Sequence, residues 1–133
     1  MTLDAKNDRI THMNAIMSIK KEFSQRIMAG EKLYEFRKFV PFKAKRIFIY
    51  ETSPTKRIVG SFEFEVIKDT PKNLWQRLGE HAGIDEGGFF EYYQGKSLGF
   101  ALKIKNLREE SINPYLELKD FQPPQSFTYT EEL

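Results

Sequence analysis

The chain has 133 residues, 40% hydrophobic and 14% aromatic, with no cysteine and a net charge of +2. Its length fits one domain, and twelve Phe, six Tyr and one Trp supply enough large side chains for a packed core, which excludes a disordered protein. The lack of cysteine excludes disulfides and thiolate metal sites; no stretch suits a signal peptide or membrane span, so the expected setting is the cytoplasm.

Residues 1–12 are polar and aperiodic and read as a flexible tail ahead of a single domain over 13–133. Ala15 to Ile19 is a short apolar run that predicts a buried strand. Lys20 to Ala29 predicts a helix, with Phe23 and Ile27 at i and i+4, Met28 beside them, and Gly30 as the glycine that closes it. Lys32 to Phe39 predicts a second strand, stopped by Pro41. Lys45 to Thr52 contains a third, and Ser53-Pro54-Thr55 reads as a turn. Ile58 to Val66 alternates, with Phe62, Phe64 and Val66 on one face and Ser61, Glu63 and Glu65 on the other. Gly60 within it marks a bulge or a close backbone approach.

Thr70-Pro71 predicts a helix start with Thr70 as N-cap and Leu74, Trp75 and Leu78 as the apolar stripe. Asp85 caps a further short helix with Phe89, Phe90 and Tyr93 on its buried face, ended by Gly95. Leu98 to Lys105 predicts a strand with Phe100, Leu102 and Ile104 inward, Asn113-Pro114 a turn, and Leu116 to Leu118 a brief paired segment. Pro123-Pro124 interrupts regular structure before a last strand over Ser126 to Tyr129. The order β-α-β-β-β-α-α-β-β predicts an α+β fold, a small mixed, partly open β-barrel with peripheral helices.

Charge is uneven along the chain. Residues 1–66 carry thirteen Lys/Arg against eight Asp/Glu, a net of +5, and the remainder carries a net of −3. The basic residues concentrate between Lys20 and Arg57, which suits a polyanionic partner; a solvated surface of mixed charge is the alternative that composition leaves open.

The segment from Gly30 to Arg37 holds the densest chemistry. On an extended chain Glu35 and Arg37 share a face with Leu33, while Lys32, Tyr34 and Phe36 point the other way. A carboxylate beside a guanidinium just after a turn suggests a polar cleft, though spacing alone also permits a solvated pair worth little. His12 and His81, the two histidines, lack the spacing of a zinc site, and no nucleophile elbow or phosphate-binding glycine loop is present.

Gly30, Lys32, Glu35 and Arg37 spell Gly-x-Lys-x-x-Glu-x-Arg, which resembles the signature of the ASCH domain family. Three further pieces match in order: Ile16 to Lys20 resembles the opening strand, Ile49 to Pro54 followed by Ile58-Val59-Gly60 the central hairpin, and Pro123 to Phe127 the ending of one subgroup. The resemblance covers nearly all of the chain after Met13 and implies a PUA-like β-barrel with the motif lining a cleft at its mouth. Lys32, Glu35 and Arg37 would lie there, with Lys20 and the Thr52-Ser53 turn close by. Arg37 would fork onto a phosphate or base edge, Lys20 and Lys32 would add compact positive charge, and Glu35 would accept from an exocyclic amine. Tyr50 would offer a stacking face or, the plainer reading, pack in the core.

The implied ligand is RNA or a modified nucleotide, with no cofactor and no metal; a protein partner stays open. Three functions are compatible with this. The first is an RNA- or nucleotide-binding module, in which Arg37→Ala weakens binding without unfolding the protein. The second is a hydrolase of RNA or a modified nucleoside, with Glu35 as general base and Lys32 as electrostatic stabiliser. The third is a protein acting through a partner, with the Glu35–Arg37 network as a fold device. Family members resembling amidohydrolases of acylated cytidine use a lysine and a threonine of this motif. Lys32 matches the lysine, but Glu35 stands in the threonine's place, and a carboxylate is a poor attacker of an amide at neutral pH.

Overall fold

The protein's structure is a computed structural model that describes residues 13–133; the tail predicted over 1–12, with His12, lies outside the described residues. Along the chain run β1 (Asn14–Ile19), α1 (Lys21–Met28), β2 (Tyr34–Arg37), β3 (Ile47–Glu51), β4 (Arg57–Asp69), α2 (Pro71–Leu78), a 3-10 turn (Gly79–His81), α3 (Glu86–Tyr92), β5 (Gly99–Ile112), α4 (Pro114–Glu117) and β6 (Phe127–Thr130). The strands form one six-stranded mixed sheet in the order β2-β5-β4-β3-β1-β6. β1 pairs with β3 in parallel, from Ala15 opposite Ile47 to Ile19 opposite Glu51, and every other pairing is antiparallel.

Burial explains the strand patterns. Met17 and Ile49 pack into the core beneath α1, while their neighbours Ile16, Phe48 and Tyr50 pack on the opposite face with Ile58 and Leu118. Both faces of β1 and β3 are therefore covered, and these strands read as apolar runs rather than alternating ones. A separate cluster sits under α2 and α3, where Leu74, Phe89 and Tyr93 meet Phe36. Tyr50 belongs to this interior: it is 2% exposed and its hydroxyl lies 2.6 Å from that of Tyr115. Its ring is not available for stacking on a ligand.

The long β4–β5 ribbon curls the sheet. Its register shifts between Ile58 and Gly60 and again between Ser61 and Glu63, and such bulges bend a strand and increase its twist. Gly60 also admits the end of α1, since a Cβ there would lie 2.4 Å from Met28 Sδ. Both roles expected of that glycine are present. The curl brings edge strand β2 back towards β1, but no ladder joins them. Arg37 Nη2 donates instead to the Ser18 carbonyl at 2.8 Å, so the barrel stays partly open.

The helix ends follow local chemistry. The Gly30 and Glu31 amides donate to the carbonyls of Ile27 and Arg26, and Gly30 takes φ +77°, which completes the predicted glycine stop. Thr70 accepts from the Asn73 amide and Asp85 from the Gly88 amide, as expected of N-caps.

Three expectations are corrected. β5 runs on to Ile112, because its polar second half is an exposed ribbon paired to β4 rather than a loop. Leu116 lies at the helical turn α4, not in a paired strand, because Asn113 caps that turn and Pro114 opens it. Phe90 is half-exposed while Phe89 and Tyr93 are buried, since i and i+4 share the inward face and i+1 does not. The basic segment also loses a member to the interior. Arg46 is buried, donating to Ser61 Oγ at 2.8 Å and to the Asn106 carbonyl, and burial holds its pKa down.

Candidate functional site

A cleft of about 770 Å³ opens where β1, β2, α1 and α3 converge. Its floor is the Lys32, Glu35 and Arg37 cluster. Glu35 is 6% exposed, and its Oε2 accepts from Arg37 Nε at 2.9 Å and lies 2.8 Å from Arg37 Nη2. Lys32 Nζ lies 3.6 Å from Glu35 Oε1 and donates to the Ala82 carbonyl. The same ammonium stands 5.5 Å from the Phe23 ring centroid and 5.4 Å from that of Phe36. One carboxylate is thus held between an ammonium and a guanidinium, with an apolar collar around the ammonium.

The position of Lys32 differs from the strand-alternation reading, which sent it to the face opposite Glu35. β2 begins only at Tyr34; the Leu33 carbonyl still accepts from the Ile104 amide of β5 at 3.0 Å, but the Leu33 amide donates to His81 O at 3.0 Å, so the ladder ends at Leu33 and Lys32 lies before the pleat. Lys32 is then free to turn inward to 3% exposure, and Leu33, expected beside Glu35, is exposed.

Lys20 and Thr52 line the cleft as well. Thr52 is held there by its amide, which donates to Ile19 O at 3.1 Å, and by the preceding Glu51, a buried carboxylate that accepts from Ser24 Oγ at 2.8 Å and from Thr55. Ser53 is exposed on the adjoining turn and does not line the cleft, and Tyr50 is in the core. The structure therefore brings together Lys20, Lys32, Glu35, Arg37 and Thr52, and leaves Ser53 and Tyr50 outside.

Other lining groups were invisible in the linear pattern. Tyr92 and Glu91 come from α3 and Gln125 from the segment before β6. Tyr92 Oη accepts from the Lys38 amide at 3.2 Å, and Lys38 Nζ stands 4.5 Å from the Tyr92 ring centroid. The one sequence signal for Tyr92 is its place beside the buried Tyr93 on a short capped helix, which says nothing of a neighbour more than fifty positions away. Among the described residues, no three His, Asp or Glu side chains gather into a group that could hold a metal ion.

Burial pulls the Lys32 ammonium below its usual pKa of 10.5, and the Glu35 carboxylate opposes this without overcoming it. The folded state then binds fewer protons than the unfolded chain between the lowered value and 10.5, so stability contributed through Lys32 rises with pH across that window. Lys32→Met is expected to flatten this alkaline rise. Urea unfolding of both proteins from pH 7 to 10.5 checks it, and parallel profiles would show that Lys32 titrates as it does in the unfolded chain.

A curled, partly open mixed sheet whose mouth carries a charged cleft is the architecture of a PUA-like domain. The family profile described as ASCH domain matches residues 17–124. The chain is 34% identical over 122 residues to an ASCH domain-containing ribonuclease from Zymomonas mobilis, covering 86% of this chain and 82% of that protein. The crystal structure of ASCH from Zymomonas mobilis superposes with a TM-score of 0.82 at 31% identity, covering 90% of each chain. A single-substitution variant of that protein gives 0.81 at 30% identity, over 90% of this chain and 92% of that one. The chain belongs to the ASCH domain family.

Proposed function

We propose that this chain is an RNA-binding ASCH domain that takes a nucleotide of an RNA strand into the cleft. The observation that carries the reading is the arrangement of Glu35 between Lys32 and Arg37 on the floor of a cleft whose volume is in the usual range for ligand sites, about 300–1,000 Å³. Arg37 has Nη1 left over after its bonds to Glu35 and Ser18, and Lys20 stands exposed at the rim, so both can meet phosphate oxygens. Glu35 Oε1 is placed to accept from an exocyclic amine or a ribose hydroxyl. The likeness to an ASCH domain-containing ribonuclease supports RNA over other polyanions. This reading keeps the cytoplasmic setting expected of a cysteine-free chain.

That relative also favours a second reading, in which the cleft cleaves the RNA it binds. Glu35 would take the proton of a ribose 2′-hydroxyl, the 2′-oxygen would attack the adjacent phosphorus, and the P–O5′ bond would break as Lys20 or Lys32 protonates the leaving oxygen. Lys32 and Arg37 would offset charge developing on the phosphoryl oxygens. The products are a 2′,3′-cyclic phosphate and a 5′-hydroxyl end. Incubation with short single-stranded RNA and a panel of modified nucleosides, read by mass spectrometry, separates the readings. Cyclic phosphate ends establish cleavage, an altered nucleoside identifies a different bond, and intact RNA retained by the protein establishes a reader. Equal affinity for an unrelated acidic polymer would remove specific RNA recognition.

Arg37→Ala is expected to weaken RNA binding and to cost about 1.5–3 kcal/mol of stability without unfolding the protein. A charge-assisted bond across the β1–β2 opening is lost with it. Binding and urea titrations of the same preparation check both effects, and unaltered stability would mean that the Ser18 contact does not hold the opening.

A further inference from the structure

Two phenylalanines stand out from the fold next to the cleft. Phe39 and Phe42 are each 63% exposed, although the segment that carries them is firmly seated. Val40, Pro41 and Ala44 between and after them are buried, the Phe42 amide donates to Val40 O at 2.9 Å, and the Ala44 amide to Pro41 O at 3.0 Å. The rings are thus held outward by the inward anchoring of their neighbours. Phe42 leans its edge on the Phe100 ring at 5.8 Å, and Lys96 Nζ sits 5.4 Å from the centroid of Phe39. Lys43, Lys45 and Lys96 are exposed around them. No acidic residue occurs between Glu35 and Glu51, whereas Arg37, Lys38, Lys43, Lys45 and Arg46 all do. The patch is continuous with the cleft through Lys38, which lines the cleft and packs on Tyr92 immediately before Phe39.

We propose that single-stranded RNA leaving the cleft runs across Phe39 and Phe42, whose rings stack flanking bases while Lys43 and Lys96 hold the intervening phosphates. This rests on the RNA reading above and extends it: the cleft takes one nucleotide, and the patch supplies length-dependent affinity. An aromatic face accepts any base, and the surrounding lysines match the backbone charge, which is the combination single-strand binding surfaces use. The positive rim is what distinguishes this occupant from an apolar protein partner.

The test titrates wild type, Phe39→Ala/Phe42→Ala and Phe39→Trp/Phe42→Trp with fluorescent 2′-fluoro oligocytidylates, a dinucleotide and a decamer, which keep an exocyclic amine for Glu35 and lack the hydroxyl that cleavage would need. The decamer is expected to bind wild type more tightly than the dinucleotide. The Ala pair should lose about tenfold or more on the decamer, the Trp pair should retain it, and the dinucleotide should bind all three alike. Wild type binding both oligomers with the decamer unaffected by the Ala pair would overturn the track and leave the cleft reading standing. Equal loss of dinucleotide and decamer in the Ala pair would also overturn it, because the rings would then act through the fold. Wild type binding neither oligomer would remove the RNA reading and the track with it. Self-association of wild type in sedimentation, abolished in the Ala pair with decamer affinity unchanged, would make the patch a contact between copies of this chain instead.

Discussion

On the cleavage reading, replacing Glu35 by Gln is expected to lower RNA cleavage by about 10²- to 10⁴-fold while RNA remains bound, because a neutral amide cannot take the 2′-hydroxyl proton. Gln keeps an oxygen for Arg37 and nearly the same volume, so the floor of the cleft should survive. Glu35→Ala is a different experiment. It leaves the buried Lys32 ammonium and the partly buried Arg37 guanidinium on one cleft floor with no carboxylate between them. Removing one partner of a buried ionic network costs about 3–5 kcal/mol, limited here by the ease with which Lys32 can give up its proton. Single-turnover cleavage for the Gln variant and urea unfolding for the Ala variant read the two roles separately. Full activity in Glu35→Gln would take Glu35 out of the chemistry; full stability in Glu35→Ala would remove it from the fold.

Gly83→Ala is expected to destabilise the protein by about 2–5 kcal/mol and to weaken RNA binding together with it. Gly83 has φ +66°, where a side chain costs about 1–2 kcal/mol. A Cβ there would also lie 2.7 Å from Lys32 Cβ and Cγ and 2.9 Å from Cδ, so the stem of a buried lysine must move, an overpacking cost of about 1–3 kcal/mol. The Ala82 carbonyl holds the Lys32 ammonium and the Gly83 carbonyl accepts from Arg26 Nη1 at 2.7 Å, so the displacement is transmitted to the cluster. Gly30 is the control: φ is +77° but nothing lies within 4 Å of its would-be Cβ. Gly30→Ala should therefore show only the backbone cost, about 1–2 kcal/mol, with RNA binding retained. Equal destabilisation of the two variants in urea would mean that the Lys32 contact carries no weight.

Much of the fold was legible because its signals are short-range. Gly30, Thr70 and Asp85 mark helix ends by bonds within a few residues, and Gly60 marks its own bulge. The alternation of β4 and the apolar runs of β1 and β3 report how many faces are covered. The polar half of β5 carries no strand signal because an exposed ribbon has no reason to be apolar, and α4 carries no helical one because a single turn is too short for a period. The site divides the same way. Lys32, Glu35 and Arg37 lie within six positions and could be singled out as a group, yet their geometry could not: alternation holds only on the pleat, and Lys32 lies before it. Tyr92 and Gln125 enter the cleft from segments that sequence proximity does not connect to the motif.

The amino-acid sequence by itself determined the α+β class and the strand and helix order in large part, since these follow from local pattern, and the motif's three charged residues carried the resemblance to the family. Tertiary structure decided which of the basic residues line the cleft. It buried Arg46 in a network with Ser61 and Asn106, placed Tyr50 in the core, and folded Lys32 under Phe23 and Phe36. It also decided that Arg37 both lines the cleft and spans the opening between β1 and β2. The reason is that a charge's role depends on its solvation and on the partners the fold brings within a few ångströms, and curling the sheet assembles those partners from segments distant in the chain.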